Sequence, residues 1–222
     1  MSIEALVVLS GGQDSTTCLY WALDRYGAGA VDTITFDYGQ RHRIELECAN
    51  RVAGFAGVPN SVFPIDTFQA LGGNALTDAG IQVNEDGNGG LPNTFVPGRN
   101  IVFLTFAAAY AWQRKIGHIV TGVAQTDYSG YPDCRQETID ALESTVRLGM
   151  ESKVEIHTPL MNLSKKETVQ LARDLGALEA LALTHTCYNG KRPPCGECPA
   201  CRLRAQGFDE AGIEDPLLSV LT

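Results

Sequence analysis

The chain has 222 residues, of which 44% are hydrophobic and 19% are charged, and its formal net charge is −9. This length fits one domain with a small appendage, and the composition is typical of a globular core and excludes a disordered chain. The acidic balance argues against a large nucleic-acid surface, which needs clustered lysine and arginine. No stretch approaches the roughly 18 apolar residues of a membrane span, and the amino terminus has no basic region. We therefore expect neither a membrane span nor a signal peptide, and a cytoplasmic protein.

The first predicted element is a buried strand at residues 5–9, followed by the loop Ser-Gly-Gly-Gln-Asp-Ser-Thr-Thr at residues 10–17 and the start of a helix. A strand that turns through two glycines into a helix is typical of a phosphate site. Glycine allows close backbone approach, and the N–H groups of the first helical turn face the anion. The Walker pattern and the dinucleotide G-x-G-x-x-G are both absent from this loop. Further donors are expected from four hydroxyls, those of Ser10, Ser15, Thr16 and Thr17.

Strands and helices alternate along the following chain. Strands are predicted at residues 31–36, 61–65, 118–122 and 154–160. Helices are predicted at residues 43–55, 100–112, 136–150, 164–175 and 203–208. The helix after Ser164 begins with a capping box that Glu167 completes, and Gly176 is its stop signal. This alternation predicts an α/β fold, an open parallel sheet of the Rossmann-like nucleotide-binding type.

The segment at residues 72–96 interrupts the alternation. It contains six glycines and four asparagines and has little periodicity, which predicts a long surface loop. In a compact enzyme such a loop is often a lid or a binding segment. We accordingly divide the chain into a nucleotide-binding domain at residues 1–176, which includes this loop, and a C-terminal helical segment at residues 177–222.

The chain has seven cysteines, and Cys18 and Cys48 fall on predicted helices, where we expect buried small apolar residues. Four others cluster within 15 residues, at Cys187, Cys195, Cys198 and Cys201. In a reducing compartment this spacing indicates metal binding rather than disulfides. Four thiolates with no open position predict a structural Zn(II) site. An iron–sulfur cluster is the alternative, because C-x2-C-x2-C also occurs in cluster proteins.

Three further segments concentrate polar and aromatic residues. Residues 36–42 end the second strand, and open α/β sheets bind ligands at the carboxyl ends of their strands. Arg99 stands at a helix N-terminus, where a positive charge is unfavourable unless an anion binds there; a structural salt bridge is the alternative. Residues 126–137 hold two tyrosines, two aspartates and an arginine, a set suited to stacking and hydrogen-bonding a flat heterocycle. For the segments at residues 36–42 and 126–137, the alternative is an ordinary solvated turn. Lys165 is either a cation near a phosphate or a surface residue.

The loop at residues 10–17 resembles the S-G-G-x-D-S loop of the ATP pyrophosphatase (PP-loop) superfamily, whose members adenylate an oxygen of their substrate. Later motifs resemble one family within it, the 7-cyano-7-deazaguanine synthases of queuosine biosynthesis. These motifs are Phe-Asp-Tyr-Gly-Gln-Arg-His at 36–42, Phe-Val-Pro-Gly-Arg-Asn at 95–100, Ser-Gly-Tyr-Pro-Asp-Cys-Arg at 129–135 and the four-cysteine tail. The resemblance runs from about Leu6 to Arg204. It implies a PP-loop/HUP domain with a zinc-binding appendage and an ATP-dependent ligase that converts 7-carboxy-7-deazaguanine and ammonia into the nitrile through adenylated intermediates.

The resemblance also implies a set of site residues. ATP would contact Leu9, Ser10, Gly11, Gly12, Gln13, Asp14, Ser15, Thr16, Thr17, Cys18 and Leu19. The deazapurine substrate would contact Tyr38, Gln40, Arg99, Asp127, Tyr131, Asp133 and Arg135. Three of the site residues would be catalytic: Asp14 would position Mg(II), and Arg99 and Lys165 would neutralise charge on the phosphates or on the substrate carboxylate.

The expected cofactor is structural Zn(II), and ATP with Mg(II) is the expected co-substrate. The expected partners are small molecules, with no direct contact to nucleic acid or membrane, and a homodimer is the expected assembly. Three alternatives stay open at this stage. They are a tRNA thiolation enzyme of the same superfamily, the synthetase half of an amidotransferase, and a zinc-stabilised adaptor that binds ATP without turnover.

Overall fold

The computed structural model describes residues 2–78, 80–83, 91–125 and 130–219. A five-stranded sheet has the order β3-β2-β1-β4-β5, and each neighbouring pair is parallel. Its strands are β1 (Ala5–Val8), β2 (Val31–Asp37), β3 (Asn60–Pro64), β4 (His118–Val120) and β5 (Glu155–His157). The strand order reverses direction at β1, so β2 and β4 lie on opposite sides of it. A crevice is expected outside the carboxyl ends of these three strands.

The α-helices within the described residues are α1 (Gln13–Tyr26), α2 (Ile44–Ala56), α3 (Thr67–Leu71), α4 (Arg99–Arg114), α5 (Gln136–Gly149), α6 (Lys165–Asp174), α7 (Leu178–Leu181), α8 (Pro199–Ala211) and α9 (Pro216–Ser219). The predicted open parallel α/β fold is confirmed. The capping box that begins α6 is also confirmed: the Ser164 hydroxyl accepts from the Glu167 amide, and the Glu167 carboxylate accepts from the Ser164 amide. Helix α8 begins earlier than predicted, because Pro199 occupies its first turn.

Two hydrophobic clusters sandwich the sheet. Alternate residues of β1 point to opposite faces, with Leu6 in one cluster and Val7 in the other. Helices α1 and α2 cover the Val7 face, and α4 and α5 cover the Leu6 face. Cys18 and Cys48 are completely buried, as predicted. None of the described helices combines the length and apolar character needed to cross a membrane.

The C-terminal segment packs on α6 through a third cluster. Val169 and Ala172 of α6 meet Leu181 of α7 and Phe208 of α8 there. The proposed division of the chain after residue 176 therefore lies beside a shared apolar contact, and the division itself stays a prediction.

The expectation of a surface loop at residues 72–96 is wrong for part of that segment. Among its described residues, Ala75, Leu76 and Val96 are buried. The Ala75 amide donates to the Asn93 carbonyl at 2.9 Å, which joins the two ends of the segment. Glycine and asparagine content predicted exposure, but local turns here carry apolar side chains into the core. Residues 79 and 84–90 lie outside the described residues.

Candidate active site and metal centre

A cavity of about 900 Å³ opens at the carboxyl ends of β1, β2 and β4. Its volume lies in the upper range of ligand pockets, roughly 300–1,000 Å³, and suits a nucleotide beside a second small molecule. The phosphate loop forms one wall. The opposite wall comes from the start of α4, the turn before α5 and the C-terminal segment. The phosphate loop, Arg99 and the polar segments near residues 36–42 and 126–137, which were identified separately from the sequence, therefore contribute residues to one cavity.

The phosphate loop holds its shape by close backbone contact with α2. Gly11 has a φ of +82°, and a Cβ there would collide with the Glu45 carbonyl and lie 2.8 Å from the Ala49 amide nitrogen. Only glycine satisfies both restrictions. Gly12 differs, because a Cβ there would come no closer than 3.5 Å to the Ser10 hydroxyl. Gly12 is the N-cap of α1 and offers no side chain to the first amides of that helix.

The predicted ATP residues divide between the cavity wall and the layer behind it. The wall contains Leu9, Ser10, Gly12, Gln13, Asp14 and Ser15. Behind it, the Thr16 hydroxyl donates to the Gly12 carbonyl at 2.8 Å and the Thr17 hydroxyl donates to the Gln13 carbonyl at 3.0 Å. These two hydroxyls, expected to face the phosphates, instead donate to the backbone of α1. Gly11, Cys18 and Leu19 complete this second layer.

A cation and a carboxylate meet at the mouth of the loop. Lys165 Nζ lies 2.7 Å from Asp14 Oδ2, and both side chains are largely buried. The second oxygen of Asp14 is buried and has no hydrogen-bond partner among the described residues. A buried carboxylate oxygen without a donor is costly, and a hard divalent cation would satisfy it. Asp14 therefore fits the expected Mg(II) ligand.

Arg99 begins α4 and contributes to the facing wall. Its Nη1 lies 3.4 Å from the Tyr38 hydroxyl, and its guanidinium lies 5.7 Å from the centre of that ring. No carboxylate pairs with Arg99 among the described residues, so the salt-bridge alternative finds no support there. Burial raises the pKa of Tyr38 to about 12, against the opposing effect of Arg99, so this tyrosine stays neutral. At this point the wall thus presents the positive charge of Arg99 beside a neutral hydroxyl.

The remaining predicted substrate residues have distinct positions. Tyr131 lines the cavity, and its hydroxyl lies 2.6 Å from that of Thr94. Gln40 also lines the cavity, where its side chain accepts from the Tyr38 amide at 2.9 Å. Arg135 lines it as well and makes a long contact of 4.0 Å with Glu137.

Asp133 has a different environment from the other predicted substrate residues. It is 4% exposed, and its carboxylate accepts from the Asn100 amide at 2.9 Å. This bond caps the first turn of α4 and is not directed into the cavity, so the geometry supports a positioning role for Asp133. Asp127, also predicted to contact substrate, lies outside the described residues.

Sequence reasoning missed Glu45, Phe103 and Tyr188, which also line the cavity. Glu45 is the second residue of α2, and burial raises its pKa from 4.5 to about 7, with Arg99 opposing the shift. No motif identified it, because a single glutamate in a helix is usually a solvated residue. Its burial depends on the phosphate loop and α4, which are distant in sequence.

The four C-terminal cysteines converge as predicted. Their sulfur atoms all lie within 4.8 Å of one another, and the Sγ atoms of Cys195 and Cys201 are 3.9 Å apart. Four thiolates around one Zn(II) at 2.3 Å would be about 3.8 Å apart in tetrahedral geometry. The Cys198 amide and the Asn189 side chain direct N–H groups to the Cys195 sulfur, as outer-shell donors to a thiolate do. The residues therefore fit a single closed metal site.

His185 connects this centre to the phosphate loop. Its amide donates to the Gly11 carbonyl at 2.9 Å, and its ring Nε2 lies 2.9 Å from the Cys187 carbonyl. His185 is 2% exposed, and burial lowers its pKa, so the ring is neutral near pH 7. One buried residue therefore contacts a metal ligand's carbonyl through its ring and the phosphate loop through its backbone amide.

Cys18 bears on the thiolation alternative, which requires a reactive thiol near the loop. It is completely buried, and burial followed by the charge of Asp14 raises its pKa. A thiol held protonated is a poor nucleophile. The geometry therefore does not favour a thiolation chemistry at Cys18.

The chain is similar to known proteins over nearly its whole length. The family model described as queuosine biosynthesis protein QueC matches residues 4–212. The 7-cyano-7-deazaguanine synthase of Chromobacterium violaceum is 69% identical over 97% of this chain and 93% of that protein. The synthase of Laribacter hongkongensis is 65% identical over 98% of this chain and 95% of that protein.

Among solved structures, the U34-tRNA thiolase NcsA from Methanococcus maripaludis, with its [4Fe-4S] cluster, has a TM-score of 0.51 and 18% identity. The likeness covers 94% of this chain and 65% of that chain, and at this identity it shows a shared fold alone. The family model and the two synthases match nearly the whole length of the chain. They show that the chain belongs to the queuosine biosynthesis protein QueC family.

Proposed function

We propose that this chain is the ATP-dependent ligase that makes 7-cyano-7-deazaguanine from 7-carboxy-7-deazaguanine and ammonia. Membership of the QueC family and relatives named 7-cyano-7-deazaguanine synthase support this activity. The single structural observation that carries it is the cavity. It places a glycine-rich loop at the start of α1 opposite an arginine with no ion-pair partner among the described residues.

The proposed reaction uses two activations. The substrate carboxylate displaces pyrophosphate from ATP to form an acyl adenylate, and ammonia then displaces AMP to give the amide. The amide oxygen attacks a second ATP and releases pyrophosphate, and loss of AMP and a proton leaves the nitrile. Each oxygen thus leaves on AMP, a far better leaving group than hydroxide.

The phosphate loop would bind the β- and γ-phosphates, which become pyrophosphate. The first amides of α1 would donate to the phosphates, and Ser10 and Ser15 are the hydroxyl residues that the loop contributes to the cavity wall. Preorganised donors of this kind stabilise charge as it develops on the leaving group. Mg(II) on the unpartnered oxygen of Asp14 would supply further charge neutralisation, and Lys165 holds the other oxygen of that carboxylate.

The facing wall would hold the deazapurine acid. Arg99 would bind its carboxylate and keep it directed toward the α-phosphate, because guanidinium pairs with carboxylate through two parallel bonds. Tyr131 and Tyr38 would pack on the flat ring, and Gln40 fixes the backbone of the Tyr38 turn. In this proposal Asp133 positions α4, and with it Arg99, through the Asn100 amide.

We propose Zn(II) for the cysteine centre. The sulfur atoms converge on one point, as ligands of a single ion do, whereas the thiolates of an iron–sulfur cluster are divided among two or four irons and do not all surround one ion. Metal analysis of the purified protein should find one zinc per chain and a colourless solution. Stoichiometric iron with a brown absorbance would contradict the assignment.

We also propose a homodimer that works in the cytoplasm. Helix α4 exposes several large apolar side chains, Ile101, Phe106 and Trp112, and an assembly would cover them. Sedimentation analysis should give about twice the chain mass of 23.9 kDa. A monomer at micromolar concentration would exclude this assembly.

One experiment tests the activity directly. The protein is incubated with ATP, ammonium and 7-carboxy-7-deazaguanine, and the products are separated and weighed by mass spectrometry. We expect the nitrile and two AMP for each acid consumed. Amide alone would remove the second activation from the proposal, and ATP binding without AMP release would support the adaptor alternative.

A further inference from the structure

A second group of metal-ligating side chains lies at the other end of the sheet. His118 begins β4, and Glu155 begins β5 as its register partner; His157 ends β5. His118 pairs with Ala5, the first residue of β1, whereas the phosphate loop follows the last residue of that strand. The His157 ring also contacts Tyr26, the last residue of α1, whereas the phosphate loop leads into the first residue of that helix. None of the three side chains lines the cavity, and the proposed ligase reaction does not use them.

The ligating atoms of the three side chains converge on one point. His118 Nδ1 lies 3.0 Å from His157 Nε2. The Oε2 atom of Glu155 lies 3.5 Å from the first nitrogen and 3.8 Å from the second. Tetrahedral ligands of one zinc ion, at about 2.0–2.2 Å, are roughly 3.3–3.6 Å apart. The separation between Glu155 and His118 lies in that range, and the other two separations lie a few tenths of an ångström outside it.

Hydrogen bonds account for only part of this arrangement. One shared proton explains the contact between the two imidazoles, and the Tyr26 hydroxyl lies 3.5 Å from His157 Nε2. The carboxylate oxygen of Glu155 faces both nitrogens from beyond normal hydrogen-bond distance. Release of the shared proton leaves two nitrogens and one oxygen whose lone pairs can bind a single cation. Side-chain exposures of 31%, 53% and 21% for His118, Glu155 and His157 leave one side open to water.

The surroundings hold the two imidazoles in place. Tyr26 of α1 stacks on His118 with ring centres 5.1 Å apart, and Trp21 lies 5.6 Å from His157. Arg25, in the last turn of α1, lies over the faces of Trp21 and Tyr26. Strands fix the spacing of the ligands and α1 fixes their orientation, which is the support that a metal site requires.

We propose that His118, Glu155 and His157 form a second, exchangeable site for a divalent metal such as Zn(II). Two imidazole nitrogens and one carboxylate oxygen would bind the ion, and water would complete its coordination. This donor set suits zinc and neighbouring divalent metals of the first transition row rather than magnesium or calcium. The bound ion would tie β5, the edge strand, to β4 and so stabilise this end of the sheet.

Trp21 provides a local reporter. The chain has two tryptophans, and Trp112 lies on α4, which packs on the opposite face of the sheet. Protein with a filled cysteine centre and Trp112→Phe is titrated with nickel, a paramagnetic ion that quenches nearby indoles. We expect saturable quenching that excess zinc reverses. A Trp21→Phe protein, with Trp112 as its reporter, should show much weaker quenching.

Ligand variants complete the test. His157→Ala and Glu155→Gln should weaken nickel binding at least about tenfold, as loss of even an outer-shell partner does. Glu210→Gln, an exposed carboxylate on α8, serves as the matched control and should bind like the parent protein. Circular dichroism confirms that each variant is folded.

Copper titration of the otherwise unchanged protein gives a measurement that needs no variant, because its electron paramagnetic resonance spectrum resolves hyperfine splitting from bound nitrogens. Two imidazole nitrogens are expected at the second site. Absence of saturable Trp21 quenching would overturn the proposal, and so would equal binding by the ligand variants or a copper spectrum without nitrogen splitting. None of these readouts depends on ligase activity or on the deazapurine.

Discussion

The phosphate loop and the cysteine centre are neighbours that keep their shapes by different physical means. The loop depends on backbone geometry, with Gly11 pressed against α2 and no side chain able to occupy its place. The centre depends on side chains, four sulfurs that repel each other as thiolates unless a cation holds them. His185 bonds to both through backbone carbonyls. A substitution that disrupts one region should therefore also weaken the other. The loss of stability and of ATP binding should depend on which region is changed.

The largest effect is expected from Gly11→Ala. The added methyl group would collide with the backbone of α2, and the residue would remain in a left-handed conformation that costs a non-glycine residue roughly 1–3 kcal/mol. We expect no detectable nitrile formation, no ATP binding by calorimetry and a lower melting temperature.

Gly12→Ala is the matched control for that change. Its Cβ meets only ordinary contact distances, so the fold and the melting temperature should be retained. If the two variants melted and bound ATP alike, the close approach of the loop to α2 would have no energetic importance.

Arg99→Ala should have the second largest effect, and it should lower turnover without lowering stability. Loss of one preorganised charge donor typically lowers turnover about 10²–10³-fold. Because Arg99 has no ion-pair partner among the described residues, the melting temperature should change little. Arg51→Ala, an exposed arginine on α2, is the control and should keep parental turnover. Parental turnover in Arg99→Ala itself would remove this residue from the site.

Cys198→Ser tests whether loss of the metal centre weakens ATP binding at the phosphate loop. We expect loss of bound metal and a lower melting temperature. We also expect ATP affinity at least about fivefold weaker, a usual size for coupling between sites, transmitted through His185 and the Gly11 carbonyl. Removing the metal from the parent protein with a chelator should give the same three results.

Cys48→Ala controls for the loss of a buried sulfur outside the cluster. It should retain the metal and parental ATP affinity, with only a modest loss of stability. A metal-free Cys198→Ser protein that bound ATP like the parent would show that the centre and the loop are energetically independent.

Local sequence was sufficient for much of this architecture. The strand, the two glycines and the helix that follow Ala5 form one continuous segment, and the cysteine spacing encodes a site within a single loop. Such features depend on neighbours in sequence, so the strands, the open parallel fold and the convergence of the four sulfurs were predictable. The loop predicted to bind phosphate lies beside the cavity, with its two threonine hydroxyls bonded to the backbone behind the wall, and its role stays a prediction.

What could not be predicted depends on contacts between distant segments. Asp133 caps α4 from 33 residues away, which its place in a tyrosine-rich motif could not indicate. The burial of Leu76 and Val96 requires the core formed by α4 and β2. Nothing near Glu45 in sequence distinguishes it from Glu47, yet only Glu45 lines the cavity.

The smallest of the predicted effects comes from the difference in burial between Glu45 and Glu47, and it is a pH-dependent change in stability. Burial raises the pKa of Glu45 from 4.5 in the unfolded chain to about 7 in the folded protein. Between these values the folded state binds more protons, so this residue makes stability fall as pH rises from 4.5 to 7. The loss of stability caused by Glu45 is absent below pH 4.5 and complete above pH 7. Removing the charge should therefore stabilise the protein at high pH only.

Glu45→Gln should raise the unfolding free energy by about 1 kcal/mol at pH 8, less than the full shift implies because Glu45 is not fully buried. At pH 4 the variant and the parent should be equally stable. Glu47→Gln, two residues along α2 and exposed, should follow the parent at both values. Urea unfolding at the two pH values measures all three proteins. A constant difference between Glu45→Gln and the parent would mean that the phosphate loop and α4 do not exclude water from this carboxyl group.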